Sequence, residues 1–232
     1  MTTAALRAFP VEPSDVAGEP RIQAFASSLV TLESGQPASA EAFRALRTHV
    51  MAQHVEHGRR AVALCAPSGG VGCTFVASNL AIALSQIGVK TLLIDANLRH
   101  PGLEEHFTPR GDISGLKQCL SEGDPISDHI LPEVIPYLSL MFSGGIADNA
   151  QELLATAHFA DLMGSCMRDY DMTILDTPPA NRCSDALRIS NVVGYSMIVV
   201  RRDKTQINDI RVLAGQLEGD GARVVGTVMT EA

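Results

Sequence analysis

The chain has 232 residues, room for one α/β domain plus a tail, and 46% of them are hydrophobic, so a sizeable core can be buried. A formal charge of -8 excludes the basic balance expected of a general nucleic-acid binder. Five cysteines, an odd number with no Cys-x-x-Cys pair, exclude a disulfide framework or a zinc cluster and point to a reducing cytosol.

Residues 1–38 carry Pro10, Pro13, Pro20 and Pro37 and read as an irregular arm with one short helix near "IQAFASSLV". The N-terminus lacks the apolar core of a signal peptide, and no segment reaches the ~18 apolar residues a spanning helix needs. The expectation is a soluble, cytoplasmic domain over 39–232, reaching a membrane only through a partner.

That domain opens with "SAEAFRALRTHVMAQHVEH". Ser39 reads as an N-cap, and Phe43, Leu46 and Val50 repeat at helical spacing. Glu41, Arg44 and Arg47 fall on another face of the same helix, charged where the first is apolar.

From Arg60 onward, strands alternate with helices. The expected strands are residues 61–66, 90–96, 137–142, 172–177, 195–200 and 223–229. Several are near-continuous apolar runs, as in sheets covered on both faces. "NAQELLATAHFADLMGSCMRD" reads as one of the intervening helices. The pattern predicts a doubly wound, mainly parallel α/β sheet flanked by helices. Ligands of such sheets bind at the C-terminal ends of the strands.

Three chemical features lie at such ends. The first is "APSGGVGCTF", residues 66–75. A phosphate-binding loop is written G-x-x-x-x-G-K-[ST], and residues 68–74 meet it loosely. Gly69, Gly70 and Gly72 allow a tight turn that presents amides to an anion, together with those of Ser68 and Val71. The helix that follows adds its positive end. Thr74 sits where a hydroxyl joins a Mg²⁺ shell, but Cys73 stands in the lysine's place. A thiol at a helix N-terminus can have a lowered pKa. A ligand-free glycine turn and a dinucleotide fingerprint through Gly70, Gly72 and Asp95 are the other readings. Phe75 is too large for the small-residue position of that fingerprint.

The second feature is "MTILDTPP", an apolar strand running into Asp176, as in a metal-holding acidic strand of a nucleotide-binding fold. The third is "TLLIDANLRHP", ending in Asp95, with Arg99 four residues on. Two carboxylates aimed into one cleft call for a cation between them, and Mg²⁺ is the usual one.

These residues resemble the bacterial tyrosine kinase family of capsule and exopolysaccharide synthesis, which shares its P-loop superfamily with the partition and division-site ATPases. The resemblance runs from about Ser39 to Thr230. "EAFRALR" fits that family's E-x-x-R-x-x-R oligomerisation motif through Glu41, Arg44 and Arg47. "TLLIDANLRHPGLEEHF" resembles its second acidic motif. "GLKQCLSEG", "NAQELL" and "YDMTILDTPPANRCSDALRIS" resemble later segments, the last containing the pair Asp185–Ala186.

The departures fall on the chemistry. Cys73 replaces the P-loop lysine, and Ser68 stands where partition ATPases carry a signature lysine. Asn97 replaces the second acid of D-x-D, and Thr230 an asparagine that meets the base. The family's C-terminal tyrosine cluster is absent. Only Tyr137, Tyr170 and Tyr195 exist.

The resemblance therefore implies ATP or ADP with Mg²⁺, weakly held if at all, on Ser68–Thr74 and Arg99. Thr74, Asp95 and Asp176 are the implied metal residues, and Asp95 and Asp176 the implied catalytic ones. It implies a homo-oligomer docked on a membrane-embedded polysaccharide co-polymerase or export protein, with little kinase activity. The rivals are an active tyrosine autokinase using Arg99 or a partner's lysine as replacement cation, and a partition-type positioning ATPase.

Overall fold

The computed structural model describes residues 21–32 and 37–231. Seven strands form the main sheet, in the order β5-β6-β3-β7-β2-β8-β9. In chain order these are β2 (Ala61–Cys65), β3 (Thr91–Asp95), β5 (Leu131–Ile135), β6 (Leu138–Met141), β7 (Met172–Asp176), β8 (Tyr195–Arg201) and β9 (Arg223–Thr230). All pairings are parallel except β5 with β6. The six expected runs supply every parallel strand. The antiparallel edge strand β5 was not expected, because "LPEVI" has a proline and an acid inside it. It forms a hairpin with β6 through Pro136 and Tyr137, with Tyr137 at a φ of 65°.

β2, β3 and β7 are buried along their whole length. Their side chains alternate between two cores, as the pleat requires. Val62, Leu64, Leu93 and Ile174 face a core shared with helices α1 (Pro37–Gln53) and α2 (Cys73–Ser85). Ala63, Cys65, Leu92, Ile94 and Leu175 face a second core. That one is closed by α3 (Leu116–Glu122), α4 (Ala150–Ala155), α5 (Ala157–Asp169), α6 (Asp185–Val193) and α7 (Ile207–Gly219).

Helix α1 confirms the apolar stripe: Phe43 and Val50 are buried, and Leu46 packs against the same core. It starts at Pro37, two residues before the expected cap at Ser39, since proline's fixed φ suits a first turn. The long helix expected over 149–169 is two. Thr156 takes an extended conformation (φ -71°, ψ 153°), ends α4, and caps α5 by accepting from the Phe159 amide at 3.3 Å.

The short helix expected near residues 22–30 is replaced by strand β1 (Ile22–Phe25) and turns. β1 pairs antiparallel with β4 (Phe107–Pro109) in a separate two-stranded sheet. No periodicity marks either strand, because their partners lie about eighty residues apart in the chain. The following residues dock onto α2 through buried Asn79. Its Nδ2 donates to Ser28 O at 3.1 Å and Phe75 O at 3.0 Å, and its Oδ1 accepts from the Thr31 amide and hydroxyl. Four bonds of about 1 kcal/mol each satisfy a side chain that would otherwise be costly to bury. Residues 1–20 and 33–36 of the expected arm lie outside the described residues.

Candidate phosphate-binding site

β2 and β7 are neighbours, and β3 lies on the other side of β7. The register sets Leu64 opposite Asp176 and Asp95 opposite Asp176. Two carboxylates therefore stand side by side where β3 and β7 end, next to the loop that leaves β2. The chain travels from β2 to β3 on one side and from β7 to β8 on the other, so this is the switch point where such sheets bind ligands.

Residues 66–72 connect β2 to α2. Gly70 and Gly72 adopt φ of 69° and 89°, in the left-handed region that only glycine enters without strain. Among the described residues, the amides of 69–74 have no acceptor. Their carbonyls are taken instead. Thr230 Oγ1 donates to Val71 O at 2.7 Å, and Lys204 Nζ to Gly69 O and Gly70 O at 2.9 and 3.1 Å. A loop whose carbonyls are bound from outside and whose amides are free is an anion cradle, backed by the α2 dipole. Val71 takes part through its backbone alone, its side chain being buried in the core. Ser68 stands half-exposed at the loop's entrance.

Cys73 Sγ donates to Leu64 O at 3.2 Å. The thiol is thus turned back toward β2, beside Asp176. Burial, and then the charge of Asp176, push its pKa well above the ordinary thiol value. The lowered pKa suggested by the helix N-terminus is thus corrected: desolvation outweighs the dipole. All five cysteines are free.

Thr74 Oγ1 donates to Asp176 Oδ2 at 2.5 Å. Asp176 Oδ1 is buried with no hydrogen-bond partner. An orphaned carboxylate oxygen beside a hydroxyl fits a hard, oxygen-loving ion. Among the described residues no three His, Cys, Asp or Glu side chains converge as metal ligands. An ion here would rely on Thr74, Asp176, water and phosphate, the usual mixture for Mg²⁺. When bound, Mg²⁺ would bridge and neutralise phosphate oxygens.

Asp95 is placed differently. Its Oδ1 accepts from the Asn97 amide at 3.0 Å, and its Oδ2 from the amides of Gly102 and Leu103 at 2.9 and 3.0 Å. Only Oδ1 keeps room for another partner. Asp95 therefore organises the loop over 97–103, which packs on the site: a Cβ on Gly102 would meet Thr74 Oγ1 at 3.1 Å. Asn97 lies in that loop and accepts from the His100 amide. Burial pushes Asp95 up to about 6, opposed by those amide bonds. Burial and the neighbouring Asp95 charge push Asp176 up to about 7.

Arg99, expected beside the phosphates, makes a two-pronged pair with Asp185: Nε to Oδ2 at 2.7 Å and Nη2 to Oδ1 at 3.2 Å. Asp185 is buried, so the pair ties the loop after β3 to α6. Glu41 and Arg44 form an exposed pair at 2.8 Å, and Arg47 Nη1 reaches Ala83 O at 3.2 Å, near the end of α2. The charged face of α1 thus carries one local pair and one brace between helices.

Sequence reasoning missed the cations around the loop crest. Arg201 Nη1 donates to Gly70 O at 3.3 Å, beside Lys204. The Arg182 guanidinium lies 3.8 Å from where a Cβ on Gly69 would sit. A lysine placed three residues past a strand, as in "RRDKT", has no local signature.

A parallel sheet with this loop, this acidic strand and this switch point is the architecture of the P-loop proteins. The AAA domain family model matches residues 59–210. The putative tyrosine-protein kinase CapB of Staphylococcus aureus is 26% identical over 82% of this chain and 83% of its own. The putative tyrosine-protein kinase EpsB of Ralstonia solanacearum is 32% identical over 82% of this chain. The chain spans only 25% of the EpsB length. The crystal structure of the chimerical protein CapA2B2 superposes with a TM-score of 0.80 at 30% identity, covering 90% of this chain and 91% of that one. The chain belongs to the bacterial tyrosine kinase family of capsule and exopolysaccharide synthesis, within the P-loop proteins.

Proposed function

We propose that this protein is a kinase-like component of exopolysaccharide or capsule assembly that binds Mg²⁺ and ATP or ADP weakly and turns ATP over poorly. It acts by self-association and by docking, from the cytoplasmic side, on a membrane-embedded co-polymerase or export protein. The observation that carries this reading is the state of position 73. Everything that shapes the site is in place, yet the side chain that should neutralise the β- and γ-phosphates is a neutral thiol bonded to Leu64 O.

The tyrosines support it. Tyr137 precedes β6, Tyr170 precedes β7 and Tyr195 opens β8. All three sit at the N-terminal end of parallel strands, roughly 15 Å of strand away from the loop. Tyr137 is half exposed, while Tyr170 is buried. None of these three tyrosines lies near the loop, so none of them is placed as an acceptor for its own site.

Glu41 and Arg44 are the side chains left facing outward for a neighbouring subunit. Within one molecule their pair is worth only about 0.3–0.5 kcal/mol. The double variant Glu41→Lys/Arg44→Glu spares the Arg47 brace. By light scattering it should run as a monomer, with unchanged melting, where the unaltered protein runs as a multimer. A monomeric unaltered protein, or brisk ATP turnover that Asp176→Ala abolishes, would refute the proposal. Dimers formed only with nucleotide would instead favour the partition-type reading.

A further inference from the structure

Three cations surround the crest of the phosphate loop. Arg201 ends β8, Lys204 comes from the turn after it, and Arg182 from the segment after β7. Lys204 Nζ touches Gly69 O and Gly70 O, and it lies 2.8 Å from where a Cβ on Gly70 would be. Arg201 reaches Gly70 O at 3.3 Å. Among the described residues none of the three has a carboxylate partner. In a chain with 26 acidic residues and a net charge of -8, three unneutralised cations at one loop are a local reversal of sign. Their mutual repulsion favours an anion between them. The buried, unpartnered Asp176 Oδ1 on the other side of the loop independently points to a metal ion, and hence to a metal–phosphate ligand.

Resting on the nucleotide-binding reading above, we propose that Lys204, supported by Arg201, holds the terminal phosphate of a bound nucleoside di- or triphosphate and replaces in binding the lysine that position 73 lacks. Lys204 is exposed and carries a flexible four-carbon stem. It exchanges two carbonyls for charged phosphate oxygens, which are stronger acceptors. Approaching from outside the crest, it neutralises the end of the phosphate chain. It does not replace a cation lodged between β- and γ-phosphates, so the nucleotide is retained, still weakly, while turnover stays slow. Arg99 cannot serve this role while Asp185 holds it.

The test is calorimetry with Mg²⁺–ADP on four proteins: unaltered, Lys204→Gln, Cys73→Lys and the double variant. Melting temperatures are recorded for each. Lys204→Gln should weaken ADP at least tenfold without lowering the melting temperature. In the Cys73→Lys background the same substitution should cost less than threefold, because the new lysine supplies the charge. Equal losses in both backgrounds, or a loss accompanied by a lower melting temperature, would show that Lys204 only shapes the loop and would overturn the proposal. Unchanged ADP affinity in Lys204→Gln would overturn it while leaving nucleotide binding intact. If the unaltered protein binds neither ADP nor ATP, the nucleotide reading itself falls, and this proposal with it.

Discussion

Replacing Cys73 with lysine raises ATP turnover about 10²-fold. Phosphoryl transfer is catalysed by positioning and charge, and one missing preorganised donor typically costs 10²–10³ in rate, about 3–4 kcal/mol. The rest of the cradle is built: free amides over 69–74, Thr74 on Asp176, and Val71 held by Thr230. Cys73 is only partly buried, so a longer side chain has a way out of the core. The gain should stop short of a competent kinase, because Asn97 still stands in place of an acid and is engaged with the His100 amide. Turnover is read by phosphate release from Mg²⁺–ATP, with melting temperature as the folding control. A Cys73→Lys protein that folds, binds ATP and turns over no faster would show that some other defect limits the chemistry.

Substituting Asp176 with asparagine stabilises the ligand-free protein above neutral pH, by roughly 2–3 kcal/mol at pH 8. Asp176 is buried beside Asp95, and its carboxyl is pushed from 3.8 to about 7. A carboxyl raised in the folded state binds its proton more tightly there than in the unfolded chain. Its contribution is therefore fully present below about pH 4 and is lost as pH rises toward 7. The unaltered protein should melt at progressively lower temperature between pH 5 and pH 8, by about 5–10 °C for a domain of this size. The Asp176→Asn protein should show a shallower fall. Added Mg²⁺ with ADP should restore the unaltered protein at pH 8 and do little for the variant. Parallel curves for the two proteins would mean that Asp176 is solvated or already compensated, contrary to its burial.

The two carboxylates, the glycine loop and the central strands are legible in the sequence because each is a local pattern. An apolar run ending in an acid announces Asp95 and Asp176, and glycines flanked by a strand and a helix announce 66–72. Partnerships between distant residues are not local patterns. Arg99 looked available because its partner, Asp185, comes from α6, 86 residues on. Arg47 looked like a surface charge, but its acceptor is a carbonyl of α2. Lys204 and Arg201 reach the loop only because β8 lies beside β2 in the sheet. The balance at Cys73 was misjudged for a related reason. The dipole that lowers its pKa is visible locally, whereas the burial that raises it needs β2, β7 and their neighbours in place.

The position of the three tyrosines has an optical consequence. The chain contains no tryptophan, so its intrinsic fluorescence comes from Tyr137, Tyr170 and Tyr195 alone. Arg59 lies 5.0 Å over the Tyr195 ring, Lys90 lies 5.0 Å over that of Tyr170, and His54 stacks edge-on to Tyr195 at 4.9 Å. These rings are tuned by charges at the N-terminal rim of the sheet and have no contact with the phosphate loop. Emission from the native protein therefore reports on that rim, and a flat fluorescence titration with nucleotide says nothing about occupancy of the loop.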